Sequence, residues 1–403
     1  RLLSGGGGHV FAVGDHDQTI YGYNGADPRW LIDFADWFPG AGDHPLEVNY
    51  RCPAGIVDAA DRLLRHNQRR VPKTIRAADG AEPGGWRALG GSDPVSTTVT
   101  AVQTALADGA ASDVAVLARV NVALVPVRVA LGLAGVPVRS GPESAFAGTT
   151  SVRSVLAWLR LATGGEFDPD DLDEALRRPS RSLHPTIRSW ATERRTVSGL
   201  QQLAGKLTKP KEAEAVAAFA HDIARARSVA ERGTTEQVVN LVISEVGLAS
   251  AIGGLDAGKH GTNSPAQSDS LQAVLQLARL HPTPATFEAW LHEQLARPSA
   301  PDGVTLATVH KVKGQEWPHV VVHLADDDQF PHRLAEDVEE ERRLFHVAIT
   351  RARRQLTVVS GPEPSPFVAE LTAEPPEHPP EPTGPQRAAR SAPRAAAKQA
   401  SAR

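Results

Sequence analysis

The sequence predicts an α/β fold in which a parallel sheet covered by helices is interrupted by a long all-helical insertion. Apolar runs of strand length alternate with stretches of helical spacing in two separate segments, residues 45–148 and 302–371. Between these segments, residues 149–301 show mainly helical spacing. Because alternation of strands and helices is typical of a parallel sheet with helices on both faces, we expect the two segments to build one such sheet.

The elements before the insertion follow from short-range periodicity. Residues 9–14, HVFAVG, form an apolar run that predicts a buried strand delivering a polar loop. A second strand is expected at 45–50, and residues 56–66 have apolar positions at helical spacing. Residues 112–119 predict another buried strand, and the apolar stretch 122–134 has the length of a helix.

The elements after the insertion complete the expected sheet. Residues 304–308 and 320–324 predict strands, 339–351 a helix and 355–359 a further strand. The acidic run at 326–328 is expected to cap the second of these strands at the surface.

A tail is predicted after Leu371, where the composition changes sharply. Residues 374–385 are rich in Pro and Glu, and 386–403 are rich in Ala with basic residues and no acidic ones. Such a composition predicts a disordered segment, here 372–403. It could serve as a tether or as a weak phosphate-binding arm.

Composition excludes several classes of protein. The chain has 403 residues, ample for two or three domains, and a formal net charge of −4, which is no global nucleic-acid signature. No apolar run approaches the roughly 18 residues that span a bilayer. Cys52 is the only cysteine, so neither an internal disulfide nor a cysteine zinc site is possible, which fits a cytoplasmic protein. The histidines show no metal-binding spacing.

The segment 13–27, VGDHDQTIYGYNGAD, carries the first candidate functional residues. Asp15 and Gln18 follow a predicted strand, the position at which open α/β sheets bind ligands. A glutamine there can place a water or contact a γ-phosphate. Tyr21 and Tyr23 offer rings on which nucleic-acid bases could stack.

Three further stretches place polar and charged groups beside apolar runs. They are LEVNYR at 46–51, VTLATVHKVKGQEW at 304–317 and EEERRLFHVAITRARR at 339–354. Together with 13–27, these stretches resemble motifs of the UvrD/PcrA/Rep group of superfamily 1 DNA helicases. The resemblance covers roughly residues 1–371. It implies a RecA-like, P-loop NTPase-type second motor lobe with an inserted helical subdomain, in an enzyme that uses ATP and Mg²⁺ and moves 3′ to 5′ on single-stranded DNA.

The resemblance also implies roles for individual residues. Tyr50 would stack on adenine, and Arg51 would reach the γ-phosphate. In the second motif, Glu316 would bind the ribose and Lys313 would lie near the phosphates or their partner loop. Arg351 would act as an arginine finger.

The DNA-binding roles come from the same comparison. Thr308 and His310 would contact single-stranded DNA. The segment 178–187, RPSRSLHPTI, resembles one that grips duplex DNA, with Ser182 and His184 at the positions of two glycines.

The same resemblance predicts the domain boundaries. The end of a first lobe is expected at 1–44, a second lobe at 45–148 and 302–371, and the helical insertion at 149–301. Neither a complete phosphate-binding loop nor the acidic Mg²⁺ motif is found, and the chain contains no methionine. We therefore expect the C-terminal part of a helicase, with the Mg²⁺ ligands in a missing N-terminal lobe. By itself it is expected neither to bind ATP tightly nor to unwind DNA.

Two alternatives remain open. The chain could be a non-catalytic module that binds DNA or a partner protein through a single lobe. It could also be part of a helicase–nuclease of the AddA/RecB kind, which shares these motifs. One decoy is set aside: GGLDAGK at 253–259 fits the spacing of a phosphate-binding loop, but His260 replaces the Mg²⁺-binding Ser or Thr and no strand precedes it.

Overall fold

A computed structural model describes residues 11–71, 73–139, 146–257 and 266–374, and for Tyr23 the backbone alone. The predicted tail falls almost entirely outside the described residues. The strands are β1 (Val48–Asn49), β2 (Arg76–Ala77), β3 (Gly85–Gly90), β4 (Val114–Ala118), β5 (Val138–Arg139), β6 (Val304–Thr308), β7 (Trp317–Val322) and β8 (Ala352–Ser360).

The helices fall into three groups along the chain. Before the insertion they are α1 (Arg29–Ile32), α2 (Phe34–Trp37), α3 (Ala54–Leu64), α4 (Pro94–Leu106) and α5 (Leu124–Leu133). Between β5 and β6 they are α6 (Thr150–Thr163), α7 (Pro169–Arg177), α8 (Pro185–Thr192), α9 (Val197–Lys206), α10 (Pro210–Arg232), α11 (Thr235–Asn240), α12 (Leu248–Asp256), α13 (Gln267–Leu280) and α14 (Phe287–Leu295). The last two are α15 (Val338–Ile349) and α16 (Pro366–Glu370).

The main sheet is parallel throughout, with the strand order β3-β8-β7-β4-β6-β5. β4 lies near its centre, where Val116 pairs with Leu306 of β6 on one side and with Val321 of β7 on the other. All five residues of β4 are buried, as expected for a central strand of a parallel sheet. β1 and β2 form a separate two-stranded parallel pair.

Helices cover both faces of this sheet. Because successive side chains of a strand point to opposite faces, Ala115 and Leu117 join one core cluster and Val114 and Val116 join another. The first cluster contains residues of α3 and α15, and the second contains residues of α4 and α5. The structure therefore confirms the predicted α/β class.

The chain from α6 to α14 is inserted between β5 and β6, which are neighbours in the sheet. Its buried side chains form a third cluster that includes Trp158, Phe219 and Phe287. Val125 and Val129 of α5 belong to this cluster as well, so α5 packs against both the sheet and the inserted helices.

Most element predictions are confirmed. The strand expected at 304–308 is β6, the helix expected at 56–66 is α3, and the helix expected at 339–351 is α15, which ends two residues before Arg351. The predicted P-loop decoy lies partly outside the described residues, and its described part belongs to the end of α12.

Two expectations are wrong in whole or in part, and several elements were missed. Within the expected strand 9–14, residues 11–14 are not extended into a sheet, and Phe11 and Val13 are largely exposed, because no described strand lies beside them to pair with. Of the acidic run expected at the surface, Asp327 is exposed, but Asp326 is buried and accepts a hydrogen bond from the Gly361 N–H. Edge strand β3 and helix α4 were not predicted, although Asp93 before Pro94 is a helix-start signal.

Among the described residues, no single helix has both the length and the apolar character of a membrane span. The helical stretches Thr235–Glu245 and Leu248–Asp256 reach these limits only when taken together, and they are bent by 63°.

Candidate functional site

The segment between β6 and β7 carries several candidate side chains. β6 ends at Thr308, a 3-10 helix follows at Val309–Val312, and β7 begins at Trp317. Since β6 and β7 both run parallel to β4, the end of β6 and the start of β7 lie at opposite ends of the strands. We call these the carboxyl edge and the amino edge of the sheet. The segment therefore joins Thr308 and His310, near the carboxyl edge, to Glu316 at the amino edge.

An open cleft lies at the amino edge, next to Tyr50, whose surface is 85% exposed. Arg51 donates a hydrogen bond from Nε to the Glu316 carboxylate, and the Nε of Arg353 lies 3.7 Å from the other oxygen of that carboxylate. The cleft has a volume of about 310 Å³ and is lined by Tyr50, Arg51, Cys52, Ala81, Glu82, Pro318, Arg353 and Arg354. An exposed ring beside several guanidinium groups suits a ligand that has both a planar base and anionic groups.

Glu316 holds Arg51 at the mouth of this cleft. The Arg51 hydrogen bond lowers the pKa of Glu316 below its usual value, so the carboxylate is ionised at neutral pH. Both side chains are partly exposed, at 31% for Arg51 and 38% for Glu316. A ligand with phosphate and hydroxyl groups could break this ion pair and satisfy both side chains. Its phosphate would then bind Arg51, and its hydroxyl would donate to Glu316.

Arg351 is 1% exposed and contacts Thr350, as Arg51 does. Its Nε donates to the Val347 carbonyl oxygen at 2.9 Å, and Nη1 lies 3.3 Å from the Gln315 carbonyl oxygen. Burial, together with the charge of Arg51, lowers the pKa of Arg351 to about 10, which leaves the group charged at neutral pH. The structure thus places a buried cation next to Arg51, and both face the amino edge of β7 and β8.

Gln18 lies in a tight turn at 15–19 rather than in the cleft lining. Asp15 caps this 3-10 turn by accepting from the Asp17 N–H at 3.1 Å, and it accepts from Gln18 Nε2 at 2.7 Å. Lys313 and Arg343 contact the backbone of this turn. Lys313 Nζ donates to the Gln18 carbonyl oxygen at 2.9 Å, and Arg343 Nε donates to the Thr19 carbonyl oxygen at 3.1 Å.

Two of the DNA-binding candidates, Tyr21 and His310, are in contact. Tyr21 donates its hydroxyl to the His310 carbonyl oxygen at 2.7 Å, and the two rings lie 6.1 Å apart. Lys313 Nζ lies 5.3 Å from the centre of the Tyr21 ring, a cation–π contact. Thr308 is buried at the strand end. The side chain of Tyr23 lies outside the described residues.

His310 is neutral at physiological pH. Burial and the positive charge of Arg119 lower its pKa to about 4. Arg119 in turn forms a bidentate pair with Glu341, with Nε–Oε2 and Nη2–Oε1 distances of 2.8 Å each. Because both partners of this pair are buried, the charge near His310 is held in place by α15, the helix that leads to Arg351.

Three residues that contact or lie near the candidate site residues were not identified from the sequence. Arg119 is the last residue of the strand predicted at 112–119 and directly follows β4, and Glu341 lies within the 339–354 motif. Lys73 contacts Asp15 and Asp17 from a loop 58 residues away in the sequence, and no local pattern marks it.

Two family models match the chain, one at each end of the motif-bearing region. Residues 248–361 match the UvrD-like helicase C-terminal domain, and residues 1–39 match the UvrD/REP helicase N-terminal domain.

Curated helicases are similar over most of this chain. DNA helicase II of Escherichia coli (strain K12) is 28% identical over 93% of this chain and 56% of its own length. The ATP-dependent DNA helicase PcrA of Leuconostoc citreum is 29% identical over 93% of this chain and 55% of its own length. The ATP-dependent DNA helicase UvrD2 of Mycobacterium tuberculosis (strain CDC 1551 / Oshkosh) is 30% identical over 86% of this chain and 42% of its own length.

The chain spans about half the length of the curated relatives it matches. The two family models follow the order in which the sequence motifs occur, and the relatives share the whole region between them. Both family models and the similarity over most of the chain thus relate this chain to the UvrD/PcrA-type helicases.

Proposed function

We propose that this chain supplies the second motor lobe of an ATP-dependent DNA helicase that moves 3′ to 5′ along single-stranded DNA. The observation that carries the proposal is the set of contacts made by Arg51, which lines the cleft beside the exposed Tyr50. Arg51 hydrogen-bonds to Glu316, and both Arg51 and the buried Arg351 contact Thr350. The 309–316 segment links this cleft to Thr308 and His310, so a change at one edge of the sheet can reach the other.

In this proposal the cleft binds ATP. Tyr50 stacks on adenine, Glu316 accepts hydrogen bonds from the ribose hydroxyls, and Arg51 leaves Glu316 to bind the γ-phosphate. Arg351 stabilises the charge that develops on the transferring phosphoryl group, and Gln18 positions the attacking water. The charged groups of the cleft are mostly guanidiniums, which suits phosphate oxygens rather than a metal ion. The Mg²⁺ that accompanies ATP would be held by the first motor lobe.

DNA would bind on the other side of the linking segment. Thr308 and the neutral His310 contact single-stranded DNA, and Tyr21 and Tyr23 offer stacking surfaces. Duplex DNA would contact the insertion near residues 178–187. Ser182 supports this assignment because its φ of 52° is the left-handed conformation that favours glycine, the residue the related motif has there.

The domain boundaries form part of the proposal. Residues 1–44 would end the first lobe, 45–148 and 302–371 form the second, 149–301 are the inserted subdomain, and 372–403 are a tail able to dock repair proteins. Several large apolar side chains within residues 11–46 are exposed and would be covered by the rest of the first lobe, namely Phe11, Val13, Trp30, Trp37 and Leu46. We also propose a cytoplasmic location, at the nucleoid.

The test is DNA-stimulated ATP hydrolysis by the complete protein that contains this chain. Arg51→Ala should lower kcat/KM at least tenfold, because a charge-assisted contact to phosphate is worth about 1.5–3 kcal/mol. Arg76→Ala, which removes an exposed arginine paired with Asp79, is the matched control and should change little. Absence of ATP hydrolysis together with nucleotide-independent binding of single-stranded DNA would overturn the proposal in favour of a binding module.

A further inference from the structure

Lys73 bridges two carboxylates of the turn at 15–19. Its Nζ lies 2.9 Å from Asp15 Oδ1 and 3.0 Å from Asp17 Oδ2. The lysine side chain is 14% exposed, and that of Asp17 is 3% exposed. Lys73 lies between α3 and β2, in the part of the chain proposed as the second lobe, so it reaches across to a turn proposed as part of the first.

The carboxylates of Asp15 and Asp17 stay ionised because cations lie beside them. Burial opposes ionisation of Asp15, yet the charge of Lys73 and its hydrogen bond lower the pKa of Asp15 to about 2. Burial likewise opposes ionisation of Asp17, and the charges of Arg70 and Lys73 lower its pKa. Arg70 lies 3.4 Å from Asp17 and 3.3 Å from Asp61, so it is already shared between two acids. Lys73 is therefore the cation that contacts Asp15 directly among the described residues.

Asp15 passes this contact on to Gln18. One carboxylate oxygen, Oδ1, accepts from Lys73 and from the Asp17 N–H, while the other, Oδ2, accepts from Gln18 Nε2 at 2.7 Å. Both oxygens are thus in use, and the orientation of the carboxylate is set from the Lys73 side. A rotation of the Asp15 side chain would withdraw the acceptor from Gln18.

We propose that Lys73 is a positioning residue for ATP hydrolysis, which holds Asp15 so that Asp15 holds the Gln18 side chain in place. This inference rests on the proposed function, in which Gln18 positions the attacking water. It adds a connection between the lobes: Lys73 acts on the side chain of Gln18 through Asp15, while Lys313 holds its backbone carbonyl. The Gln18 side chain then keeps the orientation needed for hydrolysis only while Lys73 of the second lobe contacts the turn.

The first experiment measures steady-state ATP hydrolysis, with saturating single-stranded DNA, by the complete protein and its Lys73→Met variant. We expect kcat to fall about tenfold while KM for ATP changes less than about twofold, because Lys73 does not line the nucleotide cleft. Lys206→Met, at the exposed end of α9, is the matched control and should leave both constants unchanged. Lys73→Arg keeps the charge and should restore most of kcat.

A double-mutant cycle distinguishes positioning from a general loss of structure. If Lys73 acts through Gln18, Lys73→Met should have little further effect once Gln18→Ala is present. Multiplicative effects of the two changes, or a normal kcat for Lys73→Met beside an impaired Gln18→Ala, would overturn the inference alone. Absence of ATP hydrolysis by the unaltered protein would instead overturn the proposed function, and the inference with it.

A second measurement tests the geometry in the chain itself. Hydrogen exchange at the amides of Asp17, Gln18 and Thr19, which bond within the turn, should be about tenfold faster in Lys73→Met. Unchanged exchange would overturn the positioning role. If Lys73→Met does not fold, Asp15→Asn replaces it in both experiments, because an amide has one acceptor oxygen where Asp15 uses two. Asp15→Asn is then expected to lower kcat and to speed exchange in the same way.

Discussion

Arg51 and Arg351 share one neighbour, Thr350. Arg51 Nη1 lies 3.4 Å from the Thr350 carbonyl oxygen, and Arg351 Nη2 lies 3.4 Å from the Thr350 hydroxyl oxygen. Two like charges are thus held close together, and Glu316 compensates mainly the outer one. An anion bound between them would relieve their repulsion, which is the electrostatic reason to expect phosphate at this place.

Arg351, the buried arginine of this pair, is predicted to matter more for ATP hydrolysis than for the stability of the fold. Arg351→Lys retains a positive charge but loses the planar group that reaches two carbonyl oxygens. We expect kcat of the complete protein to fall at least about a hundredfold, since arginine fingers contribute about 10³–10⁵ in rate. The free energy of unfolding should fall by only about 1–2 kcal/mol.

Arg128→Lys serves as the control for Arg351→Lys. Arg128 is also buried, and it donates to the carbonyl oxygens of Leu295 and Arg297, far along the chain from the cleft motifs. It should show a similar loss of stability in urea without the loss of kcat. Equal losses of kcat in both variants would show that Arg351 acts through folding rather than through the reaction.

Glu316→Gln should weaken ATP binding without weakening the fold. Its ion pair with Arg51 is partly exposed, and such pairs contribute about 0–1 kcal/mol to stability. Loss of the negative acceptor for the ribose should raise KM for ATP about tenfold, with a smaller change in kcat. Glu245→Gln, in the exposed pair with Arg225 on the insertion, is the control. A normal KM for Glu316→Gln would remove Glu316 from the nucleotide site.

His310→Ala should lower affinity for single-stranded DNA without changing its salt dependence. The neutral imidazole can stack or hydrogen-bond to a base but releases no counterion from a phosphate. We expect about a tenfold loss, measured by fluorescence anisotropy with labelled oligothymidine over a range of salt concentrations. A salt slope reduced by about 0.7 would show instead that His310 pairs with phosphate as a cation.

Asp326 predicts a pH dependence of stability. Burial, opposed by the Gly361 hydrogen bond and reinforced by the charges of Asp328 and Glu363, raises the pKa of Asp326 to about 6, above its ordinary value of 3.8. An acid with a raised pKa in the folded state holds its proton better there than in the unfolded chain. Its contribution to stability is therefore present below pH 3.8 and is lost as the pH rises through about 6.

Asp326→Asn should remove this loss. The amide oxygen can still accept from the Gly361 N–H, but it carries no charge. The free energy of unfolding of the variant minus that of the unaltered chain should increase by about 2–3 kcal/mol as the pH rises from 4 to 7.5, measured by urea denaturation. Asp79→Asn, at an almost fully exposed site, should show no such pH-dependent gain. A constant difference at all pH values would assign the effect to packing.

Local sequence pattern was sufficient where an element has a regular period. The strands β4 and β6 could be predicted because each is a short, mainly apolar run, which is typical of a buried strand. The helices α3 and α15 could be predicted because residues three or four apart record which face is buried. The edge strand β3 was missed because it is partly exposed and both begins and ends with glycine, so its sequence shows neither an apolar run nor an alternation.

For the candidate site, the sequence by itself determined which residue types are present and in which order, and so indicated Gln18, Arg51, Glu316 and Arg351. Only the tertiary structure decided which of them meet. Arg51 reaches Glu316 across 265 residues, Arg119 reaches Glu341 across 222, and Lys73 reaches Asp15 across 58. Such contacts depend on the strand order of the sheet and on how the loops cross its edges. The energy of an ion pair depends on distance in space and on burial, and neither quantity is recorded in the spacing of residues along the chain.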